Sequence, residues 1–274
     1  MIDAHHHFWQ YNPAEFDWIS ADMAAIRRDF LPKDLLAVTR AAGVAGVITV
    51  QARQSVEETR WLLELAAEND FIRGVVGWVP LATLTVEKEL ETFAQSRKLR
   101  GVRHVLQGEP DDYMLRTDFN RGIALLRNFG LRYDILIFEK QLPTAIEFVD
   151  RHPNQPFILD HIAKPKIKAG ELEPWRKNIK ELAKRSNVTC KVSGMVTEAN
   201  WHTWTPASLR PYFETVLEAF TPRRLMIGSD WPVCQVACTY DRWLDTIRLW
   251  TETLSAFERE AFFKSTALEA YGLR

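Results

Sequence analysis

Short apolar runs rich in Val, Ile and Leu recur along the whole chain, and longer segments with a helical period separate them. Runs that are apolar at almost every position are typical of strands buried on both faces, as in a parallel sheet. We predict eight such strands. They are Ile2–His7, Gly46–Gln51, Gly74–Val79, Leu99–His104, Tyr133–Ile137, Phe157–His161, Val188–Ser193 and Arg224–Asp230.

The segments between these strands carry the signals of helices. Ser55 and Glu58 form a capping box ahead of an apolar face that contains Trp61, Leu62 and Leu65. Further helices are predicted at Leu35–Ala42, Phe119–Phe129, Pro143–Arg151, Trp175–Arg185, Ser208–Phe220 and Tyr240–Leu254, with a terminal helix from Ser255 to Ala270.

Alternating strands and helices indicate the α/β class. The strand ends lie roughly 25 to 45 residues apart, which is about the length of one βα unit. The chain has 274 residues, close to the roughly 250 that are typical of one (β/α)₈ barrel. A doubly wound open sheet would usually carry a glycine-rich phosphate turn after its first strand, whereas this strand ends in histidines. We therefore predict a single-domain (β/α)₈ TIM barrel over residues 1–274.

Composition and charge weigh against nucleic acid and membranes as partners. The net charge is −1, so a basic face for nucleic acid is not expected. No apolar run approaches the roughly 20 residues of a membrane span, and the first residues lack the pattern of a signal peptide. Three cysteines cannot complete a set of disulfides, which favours the cytoplasm. We expect a monomer or a homodimer that acts on a small molecule.

Polar residues stand where several predicted strands end, and a barrel places its active site at that face. His5 and His7 point to one side of their strand and His6 to the other, because strand side chains alternate. His161 ends the sixth strand and Asp230 ends the eighth. Three imidazoles and one carboxylate at one barrel mouth suit Zn²⁺ or a similar ion.

Three segments carry a family resemblance: IDAHHHFW at Ile2–Trp9, LDHIAKP at Leu159–Pro165 and MIGSDWP at Met226–Pro232. They resemble the amidohydrolase superfamily, and in particular its branch of sugar-lactone hydrolases that act on L-fuconolactone and L-rhamnonolactone. Weaker matches to this branch are Val50–Arg53, Leu99–His104 and Cys190–Gly194.

The resemblance implies that Asp230 is the general base that deprotonates water, and that His5, His7, His161 and Asp230 line a metal pocket. Many members of the superfamily carry a bridging lysine or carboxylate on the fourth or fifth strand. Here the fourth strand ends in His104, so a single divalent ion, with zinc favoured, is expected instead of a pair. Hydrolysis without any metal stays open as an alternative.

The implied reaction opens a cyclic ester, so it needs an activated water, a polarised carbonyl and a proton for the leaving alkoxide. We predict that Asp230, His104 and His161 are catalytic, with His104 as the candidate for carbonyl polarisation or proton delivery; a binding or supporting role for His104 is equally open. The predicted substrate-binding residues are Gln51, Arg53, Trp78, Arg103, Gln107 and Trp231.

Other activities stay open. A zinc decarboxylase or a pyrone-dicarboxylate hydrolase of the same superfamily would bind carboxylates, and Arg53 and Arg103 keep both in consideration. A sugar-binding barrel without catalysis is the alternative from another class, and the presence of Asp230 weighs against it.

Overall fold

The structure of the protein is a computed structural model that describes residues 1–273. Eight parallel strands form one sheet and lie side by side in chain order. They are β1 (Ile2–His6), β2 (Gly46–Val50), β3 (Ile72–Gly77), β4 (Leu99–His104), β5 (Arg132–Ile135), β6 (Phe157–Leu159), β7 (Val188–Val192) and β8 (Leu225–Ile227).

Backbone contacts between the first strand and the segment after β8 close the sheet. His6 pairs with Trp231 in a parallel bridge, and the His7 amide donates to the Trp231 carbonyl at 2.7 Å. The Asp230 amide donates to the His5 carbonyl at 2.8 Å. The predicted (β/α)₈ barrel is therefore confirmed, and its closure joins His5 and Asp230, which are remote in sequence.

Helices follow the strands around the barrel. They are α1 (Pro32–Ala41), α2 (Val56–Glu68), α3 (Val86–Phe93), α4 (Thr117–Leu126), α5 (Leu142–Arg151), α6 (Trp175–Leu182), α7 (Pro206–Phe220), α8 (Tyr240–Trp250), α9 (Ala256–Glu260) and α10 (Thr266–Ala270). The Ser55 side chain accepts from the Glu58 amide at the start of α2, and Ser255 caps α9 in the same way. A π-helical turn, Ala261–Ser265, divides the predicted terminal helix into α9 and α10.

Seven of the eight strands end one to three residues earlier than predicted, and at two of them a candidate site residue stands on a left-handed turn instead. β6 stops at Leu159 and β8 at Ile227, ahead of the predicted ends at His161 and Asp230. The backbone φ angles of His161 and Asp230 are 53° and 56°, in the left-handed region, and such residues cannot continue a strand. The two side chains therefore stand on sharp turns at the barrel mouth and not on the strands themselves.

The apolar core has two parts. The larger part packs helices against the outside of the barrel, while a smaller cluster includes Ile48, Val76, Ile158 and Met226 from the strands. Tyr271, near the end of the chain, joins this smaller cluster and is fully buried. Within residues 1–273, none of the helices combines the length and apolar character needed to cross a membrane.

Candidate active site

His5 and His7 meet at the mouth of the barrel, as the alternation of β1 predicted. Their Nε2 atoms lie 3.2 Å apart, whereas His6 turns away and bonds the Thr49 hydroxyl at 2.9 Å. His7 Nδ1 lies 2.8 Å from the Val50 carbonyl oxygen, so this nitrogen carries the proton and donates. In the neutral ring, Nε2 of His7 is consequently an acceptor that points into the site.

Asp230 and His161 complete the cluster. Asp230 Oδ1 lies 3.4 Å from His7 Nε2 and 3.8 Å from His5 Nε2. The His161 ring lies against the His5 ring, with 4.4 Å between centroids, and its Nδ1 is 2.9 Å from the Ser193 hydroxyl oxygen. The structure thus brings together four residues from the first, sixth and eighth strand ends.

Four consecutive residues after β6 have left-handed backbone: His161, Ile162, Ala163 and Lys164, with φ of 53°, 50°, 61° and 45°. This conformation costs roughly 1–2 kcal/mol per residue for L-amino acids. The turn is held in place because the Lys164 amide donates to the His161 carbonyl at 2.8 Å and Trp175 Nε1 donates to the Ile162 carbonyl at 2.7 Å. Strain of this kind is found mainly at functional sites.

Electrostatics favour an ionised Asp230 beside neutral His5 and His161 rings. Burial opposes ionisation of Asp230, but the nearby His161, His7 and Lys164 outweigh it and lower the pKa of the carboxyl. Burial lowers the pKa of His161 to about 4 and holds the pKa of His5 well below its ordinary range. At neutral pH the site therefore offers a carboxylate base and unprotonated ring nitrogens.

A charged network lies directly behind His5. The Lys191 ammonium is 2.6 Å from Asp134 Oδ2, 2.9 Å from Asp160 Oδ1 and 3.1 Å from His5 Nδ1. Arg103 Nη1 donates to the other oxygen of Asp160 at 2.9 Å. All of these side chains are buried, so their charges are balanced within the barrel.

A cavity of about 500 Å³ opens in front of the cluster. His7, His161 and Asp230 form its inner wall, and the long connection between β1 and β2 contributes Trp18 and Met23 to its rim. This connection therefore forms part of the mouth of the barrel. Other lining residues are Glu15, Asp17, Ala52, Arg53, Gln54, Arg103, Val105, Gln107, Leu136, Lys164, Thr197, Glu198, Trp201 and Val233.

Three of the six predicted substrate-binding residues line this cavity: Arg53, Arg103 and Gln107. The Gln107 Oε1 atom is buried and has no hydrogen-bond partner in the described part of the chain, so it is an unsatisfied acceptor beside the cavity. Gln51 lies behind the wall, where its Oε1 accepts from Arg103 Nη2 at 2.9 Å.

Trp231 and Trp78 do not reach the cavity. Trp231 is buried in the core, where its ring centroid lies 5.1 Å from that of Phe30. Trp78 instead donates from Nε1 to His104 Nδ1 at 3.2 Å. Among the described residues, the flat surfaces at the cavity are Trp18 and Trp201, which stand in loops.

The structure does not bring His104 to the cavity either. Its Nε2 lies 2.7 Å from Glu109 Oε1, and its Nδ1 accepts from Trp78. Its ring stacks on Tyr113 with 5.0 Å between centroids. Both ring nitrogens of His104 are thus engaged outside the site, because the end of β4 directs this ring to the outer side of the barrel. We therefore assign His104 no step in the reaction.

One group of described residues is able to hold a metal ion. His5, His161 and Asp230 each offer a ligand atom, and these atoms lie within 4.8 Å of one another. His7 Nε2 faces the same space, since it lies 3.2 Å from His5 Nε2. A hydrogen bond from a neutral His5 Nε2–H to His7 Nε2 accounts for this distance in the free site. Imidazole nitrogens and a carboxylate oxygen are also the ligands that Zn²⁺ prefers, so the donor set fits a single divalent ion.

Comparison with known proteins gives concordant matches. The amidohydrolase family model matches residues 2–273. An L-fucono-1,5-lactonase of Burkholderia multivorans is 40% identical, covering 99% of this chain and 96% of its own. A second L-fucono-1,5-lactonase, from Burkholderia ambifaria, is 37% identical and covers 89% of this chain and 85% of its own. A crystal structure of a Burkholderia multivorans amidohydrolase with bound zinc superposes with a TM-score of 0.94 at 40% identity, over 100% of this chain and 99% of that one.

Proposed function

Because the chain belongs to the amidohydrolase family, we propose that it hydrolyses a sugar lactone to the open-chain sugar acid. The observation that carries the proposal is the ionised, buried Asp230 carboxylate among three imidazoles at the inner wall of the cavity. The L-fucono-1,5-lactonase at 40% identity supports the substrate class.

The reaction follows from these positions. Asp230 takes a proton from water while the water oxygen forms a bond to the lactone carbonyl carbon, and the carbonyl π electrons move onto the carbonyl oxygen. When this tetrahedral species collapses, the bond from the carbon to the ring oxygen breaks. The departing alkoxide takes the proton back from Asp230, so the products are one hydroxyl and one carboxylic acid. General base assistance of this kind contributes about 10²- to 10⁴-fold in rate.

Residues around the site fix the orientation of two histidine rings and contact the substrate. The Val50 carbonyl holds the His7 ring and Ser193 holds the His161 ring, so both present Nε2 to the reacting centre. Gln107 lines the cavity and offers its side-chain amide to a sugar hydroxyl. Trp18 and Trp201 provide flat contacts for the apolar side of the ring.

We infer that one divalent ion, with zinc favoured, belongs at His5, His7, His161 and Asp230. When bound, such an ion polarises the ester carbonyl and lowers the pKa of water towards about 7. The zinc-bound crystal structure of the relative supports this choice. Elemental analysis and a thermal shift after chelation test it: bound zinc and a lower melting temperature after chelation are expected. Metal-free protein with full stability and full activity would instead favour the metal-independent alternative.

Cations at the mouth do not favour a dicarboxylate substrate. Two of the three are held by acids at hydrogen-bond distance, Arg53 by Glu15 at 2.5 Å and Arg103 by Asp160 at 2.9 Å, while Lys164 lies 3.7 Å from Glu198. A pyrone dicarboxylate or an aromatic acid would have to compete with these carboxylates. A neutral lactone carries no carboxylate and does not need two open cations, so lactone opening is the better match.

We further propose that the chain acts as one domain, as a monomer or a homodimer, in the cytoplasm. A single family model spans residues 2–273. Cys190, Cys234 and Cys238 are free thiols, which suits a reducing compartment. Size-exclusion chromatography with light scattering measures the assembly state.

A pH-indicator assay over a panel of lactones tests the proposed function. The panel contains the 1,5- and 1,4-lactones of L-fuconate, L-rhamnonate and their stereoisomers, together with a pyrone dicarboxylate, and carbon dioxide release is followed in parallel. Acid release above the spontaneous rate from one stereochemical series is expected, without carbon dioxide. A protein that only binds lactones, or that releases carbon dioxide, would overturn the proposal.

A further inference from the structure

Three lysine or arginine side chains line the cavity among the residues that the structure describes: Arg53, Arg103 and Lys164. They differ in how many of their donors are already used. Arg103 donates from Nη1 to Asp160 and from Nη2 to both the backbone and side-chain oxygens of Gln51. Arg103 is therefore a fixed part of the wall.

The guanidinium of Arg53 is also held by neighbouring side chains. Its Nη1 donates to Glu15 Oε2 at 2.5 Å, and its Nε lies 3.7 Å from Glu58 Oε1. Its guanidinium lies over the Phe16 ring, 5.1 Å from the centroid. These contacts hold Arg53 towards the loop between β1 and β2.

Lys164 has the least committed donors of the three. Its Nζ lies 3.7 Å from Glu198 Oε1, beyond hydrogen-bond distance, and 5.6 Å from the centre of the Phe138 ring. Glu198 is thus the ion-pair partner of this ammonium among the described residues, and the separation leaves its donors open to a ligand. The side chain is only 16% exposed, so its charge is partly withdrawn from water and acts strongly on a bound ligand.

The backbone shows that Lys164 is held in this position at an energetic cost. It is the last of the four left-handed residues that begin with His161, so one turn positions both side chains at the cavity. At a φ of 45° glycine or asparagine would be less strained than lysine. The buried Ile162 and Ala163 fix the middle of the turn. A strained lysine beside a candidate catalytic histidine indicates a requirement for its ammonium.

We propose that Lys164 is a further catalytic residue, whose ammonium donates a hydrogen bond to the lactone carbonyl oxygen and stabilises the negative charge that develops there. The inference rests on the proposed function. While water adds to the carbonyl carbon, the π electron pair moves onto the oxygen that faces Lys164 Nζ. The ammonium keeps its proton throughout, and the electron pair returns when the ring C–O bond breaks. Between turnovers Glu198 balances the charge of the free ammonium.

Kinetics of paired lysine variants test this role. Lys164→Met removes the charge but keeps the aliphatic length, and Lys164→Arg keeps the charge. Lys166→Met is the matched control, because Lys166 is two residues along the same loop, exposed, and paired with Glu139 and Glu171 outside the cavity. Removing one donor to a developing oxyanion costs about 10²- to 10³-fold in kcat. We expect that loss for Lys164→Met with a smaller change in KM, a partial loss for Lys164→Arg and none for Lys166→Met.

Two further measurements separate catalysis from a structural role. Ethylamine added to Lys164→Ala should restore part of kcat, because a free ammonium can occupy the vacated space. Lys164→Gly should unfold at the same temperature as the wild type or higher, since glycine relieves the left-handed strain. A Lys164→Met enzyme with kcat within threefold of the wild type would overturn the inference. So would a loss of kcat that occurs only together with a clear fall in melting temperature.

The wild-type protein is assayed first on the lactone panel. If it opens none of the lactones, the proposed function fails and the role of Lys164 fails with it. If the wild type opens a lactone and Lys164→Met does so equally well, only the role of Lys164 is refuted.

Discussion

The Lys191 ammonium lies 3.1 Å from Nδ1 of His5, inside the barrel and fully buried. The same ammonium contacts Asp134 and Asp160, so its three donors face three different partners. Asp134 in turn accepts from the Tyr271 hydroxyl at 2.7 Å. A chain of polar contacts therefore connects the end of the polypeptide to a histidine of the candidate active site.

Replacement of Lys191 by Met should strongly destabilise the protein. The substitution leaves the Asp134 and Asp160 carboxylates buried with less compensating charge, and breaking such an ion pair costs about 3–5 kcal/mol. Urea denaturation measures the free energy of unfolding. The control is Lys184→Met, because Lys184 is exposed and its ion pair with Glu181 should contribute about 0–1 kcal/mol. Equal stability of the two variants would show that the buried charges are not balanced by Lys191.

Asp230→Asn should abolish most turnover while preserving the fold. Asparagine tolerates the left-handed φ of 56° at this position, so the backbone has no reason to change. Loss of a general base should lower kcat by about 10²- to 10⁴-fold. Asp245→Asn is the control, since Asp245 is exposed on α8 and pairs only with Arg248 in the described contacts. Near-normal turnover by Asp230→Asn would remove Asp230 from the mechanism.

Gly194→Ala should displace His161. A Cβ at position 194 would lie 2.5 Å from His161 Nδ1, and the φ of +63° is unfavourable for alanine. We expect a large loss of kcat in addition to about 1–3 kcal/mol of backbone strain. Gly170→Ala separates the two effects, because Gly170 has a similar φ of +70° but no atom within 4 Å of the added Cβ. If Gly170→Ala lost as much activity as Gly194→Ala, the contact with His161 would not be the cause.

The positions where the strands end explain which residues of the candidate site could be predicted from the sequence. Apolar runs identified all eight strands, and polar residues at their ends identified His5, His7, His161 and Asp230. The alternation rule placed His5 and His7 together because it depends only on local backbone geometry. Strand-end position alone did not indicate that His104 would turn away from the cavity. Alternation puts Arg103 and His104 on opposite faces of β4, and the closed barrel shows that Arg103 is the one that faces inward.

Residues supplied by loops were not predictable in the same way. Trp18 and Trp201 line the cavity, but nothing in a loop sequence fixes where its side chains point. The sequence also gave no sign that four residues after β6 would take left-handed backbone, since none of His161 to Lys164 is a glycine. Tertiary packing imposes that conformation, and only the closed barrel reveals that Lys164 joins the site.

Glu58 on α2 is another buried acid, and it organises the loop between β2 and α2. Its Oε2 accepts from the backbone amides of Ala52 at 3.0 Å and Arg53 at 2.8 Å. Burial raises the pKa of Glu58 to about 7, against the opposing effects of these hydrogen bonds and of the Arg53 charge. The folded state therefore binds this proton more tightly than the unfolded state does.

The contribution of Glu58 to stability should decrease as the pH rises. It is fully present below the ordinary pKa near 4.5 and is lost as the pH passes through about 7. Glu58→Gln keeps an acceptor for both amides and does not titrate. The free energy of unfolding of the wild type, relative to this variant, should fall by about 1–3 kcal/mol between pH 4.5 and pH 8. Urea denaturation across that range measures the difference, with Glu64→Gln, an exposed position on the same helix, as the control. A difference that rises with pH would mean that the two amides and Arg53 stabilise the carboxylate more than burial destabilises it.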